Sequence, residues 1–325
     1  MLLSCGDALI DFLPGTASDG REALLPAVGG SCLNVAVGIA RLGAPTGFVG
    51  GISTDLFGRM IADHARASDV DLRYATRSER PTTLAFVRTI DGEAQYAFYD
   101  ENTASRQWMH QPGSIPFDRV DALHVGSTIL VDGQGAAQTL QMIEEARNTT
   151  TISLDPNCRP NLVRDKADYL QRMTRFAAIA DIVRLSDGDF AYLHGGDDFA
   201  ARAQSLLAAG TGLFVITRGM RGAQAWHRKA GTIAVDAPKT KIVDTIGAGD
   251  SFQAGLLFAL STMERLTRRQ MDHLTADELR RALSFAASCA AWTCARRGAD
   301  PPRPSDIDMA ALHRGRPANA GVAQS

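Results

Sequence analysis

Two aspartates, Asp244 and Asp250, bracket a stretch with almost no side chains, Gly247-Ala248-Gly249, in DTIGAGDSF (residues 244–252). The apolar run QAGLLFAL (253–260) follows and reads as a helix that begins near Gly249 or Asp250. The first amides of a helix have no partner within it, and its dipole is positive at that end. Bare residues ahead of such an end let an anion reach the backbone. Gly247, Ala248 and Gly249 therefore read as an anion hole. Asp250, a carboxylate kept ionised at the helix start, can accept a proton from a hydroxyl. A hole for an anion beside a base describes phosphoryl transfer to an alcohol. The competing reading is a helix N-cap after a glycine turn, and the stretch alone leaves both open.

Such residues need a frame. Leu2 to Phe12 reads as one buried strand. Gly29-Gly30 opens a helix in which Leu33, Val37 and Ala40 share a face, as do Val35, Ile39 and Leu42, with Gly43 as its stop. TGFVGGIS is a strand and DLFGRMIADHARA a helix. TTLAFVRTI and EAQYAFYD are β-rich, and Asp91-Gly92 joins them as a hairpin turn. Strands and helices then alternate through GLFVITRG, which predicts a mainly parallel sheet covered on both faces. The hairpin interrupts that alternation and is a candidate lid over a cleft. A β-prone TKIVDT precedes the glycines, and Thr275 with Glu278 forms a capping box for the last helix.

The 325 residues are 45% hydrophobic and 22% charged, with a formal net charge of -2. That suits one large α/β domain with a small appendage. No basic stripe is present, so nucleic acid is not an expected partner. No apolar, uncharged stretch of about 18 residues exists, so no membrane span is expected. Cys5, Cys32, Cys158, Cys289 and Cys294 are odd in number and lack a CxxC pair, which predicts a reduced, cytoplasmic protein. The chain contains neither a GxxxxGK[ST] P-loop nor the glycine-loop, HRD and DFG set of protein kinases.

DTIGAGDSFQAG (244–255) resembles the C-terminal signature of the ribokinase-like (PfkB) sugar kinases. Gly29 to Met60 resembles that family's N-terminal signature, and VITRGMRG (215–222) its VTRG element. The resemblance extends from about Leu3 to Pro302. It implies an α/β kinase domain over residues 1–313 with a β lid at about 12–28 and 82–100, and a flexible tail at 314–325. Asp250 would be the base, with Gly247, Ala248 and Gly249 as the anion hole. Asp11, Gly29, Gly30 and Asn34 would hold sugar hydroxyls. Asp11 as a strand-end turn residue, and Asn34 on a solvated helix face, are the alternatives. Thr217, Gly219 and Gly222 would line ATP. Asn157 and Arg159, in DPNCRPNL, match strand-end residues near the phosphates.

The family's Asn-x-x-Glu motif is replaced here by SDGD. Ser186 would face the nucleotide, and Asp189 would serve Mg2+ through water with a shorter reach. A plain helix cap is the other reading of Asp189. Asp244 and Gly298 would bound a K+ site. GDALIDFLP, RPTTLAFV and YAFYDENTASR resemble fructokinases, with Phe98 covering the sugar or packing within the lid. Some relatives carry a basic residue where this chain has Asp100. Fructokinase is the expectation, with 2-keto-3-deoxygluconate kinase, ribokinase and a catalytically silent sugar sensor as alternatives. A homodimer through the lid is the expected assembly.

Overall fold

The computed structural model describes residues 1–90 and 93–313. The chain opens with β1 (Leu2–Cys5) in a large sheet, leaves it at Gly6, and enters a second sheet as β2 (Leu9–Thr16), returning as β3 (Glu22–Gly29). The expected single strand from Leu2 to Phe12 is thus two strands in two sheets. Leu2, Leu3, Leu9 and Ile10 are all buried, so the apolar run carries no mark of the break.

Helix α1 (Ser31–Arg41), β4 (Thr46–Ser53), α2 (Leu56–Arg66) and β5 (Ala75–Ser78) follow. The hairpin strands are β6 (Thr83–Ile90) and β7 (Glu93–Tyr99). Their expected turn, Asp91-Gly92, lies outside the described residues, as does the expected tail from Arg314. Alternation resumes with β8 (Ala122–Gly126), α3 (Gly133–Ala146), β9 (Thr151–Asp155), α4 (Lys166–Ile179), β10 (Ile182–Ser186), α5 (Asp187–His194), α6 (Phe199–Ala209) and β11 (Leu213–Thr217). An antiparallel pair not separated in the sequence, β12 (Ala223–His227) and β13 (Gly231–Val235), comes next. Then come α7 (Ala248–Thr262), α8 (Arg268–Met271) and α9 (Ala276–Cys294). TKIVDT forms no strand, because β13 ends at Val235 and the chain runs irregularly to α7. The Thr275–Glu278 capping box is present.

The large sheet has the order β13-β12-β11-β10-β9-β8-β1-β4-β5, parallel from β11 to β5. Its strands split their side chains by the period of two. Val183, Leu185, Phe214 and Ile216 face α3 to α6, while Ile182, Leu213 and Val215 face α1, α7 and α9. Both faces are covered, which is why these strands read as unbroken apolar runs. Strand order reverses between β1 and β8, and clefts of doubly wound sheets form at the carboxyl ends of such strands.

The second sheet, β3-β2-β6-β7, stands over that end. Two polar clasps join it to the core. Asp55 caps α2 through the Gly58 amide at 2.7 Å and also accepts from the Thr82 amide at 2.8 Å and hydroxyl at 2.7 Å. Arg106 donates to Asp100, just beyond β7, at 2.7 Å and to Asp132, the N-cap of α3, at 2.7 Å. The unusual Asp100 is therefore an ion-pair partner.

Candidate active site

Asp250 lies in the first turn of α7, whose N-cap is Gly247. The turn into that helix needs the left-handed backbone of Gly247, φ 74°. The Ala248 amide bonds the Thr245 carbonyl at 3.3 Å. The Gly249 and Asp250 amides find no acceptor among the described residues and point the hole's chemistry to them.

The Asp250 carboxylate is 7% exposed. One oxygen accepts from Ser31 Oγ at 2.7 Å, the other from Asn34 Nδ2 at 2.8 Å. Both donors sit at the start of α1, so two helix N-termini face each other across the carboxylate. Burial raises its pKa, opposed by the bonds from Asn34 and Ser31. Burial and these two bonds therefore act on its ionisation besides the helix start of the local reading. Asn34 is buried on the carboxylate and not on a solvated face.

On one side of Asp250 a cleft of about 860 Å³ runs between the ends of β9, β10 and β11 and the helices α7 and α9. It brings together Asn157, Arg159, Ser186, Asp189, Thr217, Gly219, Gly222 and Gly249, as expected for a nucleotide site. It also contains Arg184, which the sequence reading missed. Arg184 is buried, with Nη1 2.5 Å from Asp155 and Nη2 2.5 Å from Thr217 Oγ1. A Cβ on Gly249 would lie 3.0 Å from both of its Nη atoms. Gly249 is thus small for the guanidinium as well as for any anion. The missing Cβ of Gly222 faces the Val235 carbonyl, at 2.0 Å, which gives that glycine a packing role besides its place in the cleft.

On the other side lies Asp11 of β2. A Cβ on Gly29 would fall 2.0 Å from its Oδ2, so the glycine clears space for this carboxylate. Gly30, φ 103°, turns the chain into α1 against the Asp7 carbonyl. Burial, then the charge of Asp7, raise the Asp11 pKa to about 7, with Arg159 pulling it down. Burial raises the pKa of Tyr96, also missed, and the charges of Arg159, Asp11, Asp244 and Asp250 act on it. Phe98 stacks on Tyr96 at 5.9 Å and lines a separate cleft with Arg106 and Asp132. By register Phe98 is level with Ala85 and so with Asp11, while Tyr96 lies level with Val87, one step further along the same face. Asp7 is a third missed residue: it accepts from Ser127 Oγ at 3.1 Å where β1 and β8 diverge.

The expected metal ligands are engaged with protein. Asp189 completes the capping box of α5 with Ser186, at 2.7 Å, and accepts the Cys158 amide at 2.9 Å. Asp244 accepts the Ile246 and Gly298 amides at 3.0 and 2.9 Å, tying the loop before α7 to the segment after α9. Among the described residues no group of three His, Cys, Asp or Glu is placed to cage a metal ion. The donors fit a cation held mainly by phosphate oxygens and water, with carboxylates at its edge.

Known proteins share this arrangement. The chain is 38% identical over 282 residues to the fructokinase of Rhizobium leguminosarum bv. trifolii, covering 86% of each. The structure of the Xylella fastidiosa fructokinase with bound ATP superposes with a TM-score of 0.83 at 28% identity, over 92% of this chain and 93% of that one. The Vibrio cholerae O395 fructokinase with fructose, ADP and calcium gives 0.80 at 25% identity, over 96% and 97%. The description "pfkB family carbohydrate kinase" matches residues 6–306, and with these relatives it establishes that the chain belongs to the pfkB family of carbohydrate kinases.

Proposed function

We propose that this protein is an ATP-dependent fructokinase that converts D-fructose to fructose 6-phosphate. The observation that carries the reading is the position of Asp250. It is a buried carboxylate at a helix N-terminus, held by Ser31 and Asn34 of α1 between the 860 Å³ cleft and the Asp11 strand β2. Relatives named fructokinase, two of them seen with ATP or with fructose and ADP, support the substrate pair.

The terminal primary hydroxyl of the sugar gives its proton to Asp250 as its oxygen bonds to the γ-phosphorus. The bond from that phosphorus to the β–γ bridging oxygen breaks, and ADP leaves with the electron pair. Ser31 and Asn34 hold the carboxylate in place for the proton, and burial keeps it basic. The free amides at Gly249 and Asp250 face the charge that develops on the phosphoryl group. Asp11 and the start of α1 orient the sugar, and the second sheet covers it and excludes water.

Asp187 and Asp189 at the cleft would hold a divalent cation, Mg2+ in our reading, through water, and it would supply neutralisation of phosphate charge. A K+ site beside Asp244 and Gly298 is tested by comparing turnover in potassium and in tetramethylammonium salts. Leu24 and Leu25, about half exposed on the edge strand β3, support a homodimer through the second sheet; sedimentation velocity tests it. The five free thiols fit a reducing cytoplasm.

Coupled ADP release over a panel of sugars tests the whole reading. We expect kcat/KM for fructose to exceed that for ribose and for 2-keto-3-deoxygluconate by at least about tenfold. A win for either rival leaves the kinase and removes fructose. No ADP release with any sugar leaves a silent sugar-binding protein.

A further inference from the structure

Arg184 has no role in the reaction as described so far. Its side chain is 4% exposed on β10, deep beneath the start of α7. Asp155 takes one of its N–H groups and the Thr217 hydroxyl another. Nε has no partner among the described residues. A buried guanidinium whose donors are only partly used is expensive, because it has given up water without full replacement. The side chain lines the cleft, and the bare Cα of Gly249 lets the start of α7 sit directly against its two Nη atoms.

We infer that Arg184 is a catalytic residue. It contacts the phosphate chain of the nucleotide at the anion hole and stabilises charge on the departing diphosphate, with Asp155 and Thr217 as its positioning residues. The inference rests on the kinase reading but not on the identity of the sugar. Three features favour it over a purely structural ion pair. The guanidinium lies against Gly249, next to the helix amides that face the transferred group. It is held on two sides, by Asp155 from β9 and Thr217 from β11, so it meets a developing charge without reorganising. The flat, multi-donor fork of Arg also matches phosphate oxygens.

The test separates phosphate recognition from support of the fold. ATP, ADP and adenosine are titrated calorimetrically into wild type, Arg184→Lys and Arg184→Met, and kcat is measured with the best sugar. Arg184→Met should weaken ATP and ADP by at least about tenfold while adenosine binds as before, and kcat should fall roughly 10²-fold. Arg184→Lys should restore part of the nucleotide affinity and less of kcat, because it returns a charge without the fork. Arg184→Met leaves Asp155 buried and unpaired, so the double variant Arg184→Met/Asp155→Asn is made alongside to keep a folded protein. Equal losses for adenosine and ATP, or unchanged ATP affinity and kcat in a folded variant, overturn the proposal. Failure of the fructose reading leaves the three nucleotide titrations untouched.

Discussion

The two sides of Asp250 are built differently. The nucleotide side is one body: the ends of β9, β10 and β11, stitched by Asp155, Arg184 and Thr217 and closed by α7. The sugar side joins two sheets. Asp11 comes from β2 and Tyr96 from β7, whereas Asn34 and Asp250 come from core helices. Those sheets are joined by an apolar layer of Ile10, Phe12, Val28 and Leu84 against α1, β4 and α2, and by polar clasps that include Asp55 and Arg106. A pre-formed donor side with an acceptor side that can close is the division of labour a kinase needs, since water must be kept from ATP until the sugar arrives.

The largest effect should come from the group on the boundary. Asp250→Asn should lower kcat by at least roughly 10²-fold, the scale of a general base, with ATP affinity nearly unchanged. Near-normal turnover in the folded variant would remove the base from this position. Next, Gly249→Val puts a branched side chain into Arg184, whose Nη atoms lie 3.0 Å from the new Cβ. We expect kcat to drop by tenfold or more and the ATP KM to rise while the sugar KM holds. A rise in the sugar KM instead would mean that the donor side is not the independent body described above.

On the sugar side, Asp11→Ala should cut kcat/KM for the sugar about tenfold and leave the ATP KM alone. Amide exchange in β6 and β7 should slow when sugar binds; equal exchange with and without saturating sugar would deny closure. The smallest effect is on pH. The Asp11 pKa is raised from 3.8 to about 7, so the folded state binds the proton more tightly than the unfolded chain. Stability therefore falls as pH rises from about 4 to about 7. Over the upper part of that window the sugar KM should fall, as the carboxylate becomes able to accept sugar hydroxyls. Asp11→Asn should flatten both profiles, and an unchanged stability slope would show that Asp11 does not titrate there.

Legibility followed sequence distance. Gly247, Gly249 and Asp250 are neighbours on the chain, and their spacing carries helix start, bare backbone and base together. Ser31 donates to Asp250 across 219 positions, and nothing about a serine near a helix start announces that. Arg184 is a lone charge in the apolar strand β10, and only the meeting of β10 with α7 gives it a neighbour at Gly249. Phe98 and Tyr96 share a face of β7, and the sequence reading singled out only Phe98. Asp189 had two readings, and the structure shows its carboxylate in the capping box.

The amino-acid order was enough for the alternating frame, the family signatures and the proposal of Asp250 as a base beside helix amides. All of these depend on local backbone preference or on short, contiguous patterns. Only the folded chain could divide Leu2 to Phe12 between two sheets, because burial on both faces erases periodicity. Only it could set Ser31 and Asn34 on the base, place Arg184 under the hole and lift the Asp11 pKa. Those are properties of burial and of charges brought together from distant segments, and no single segment contains them.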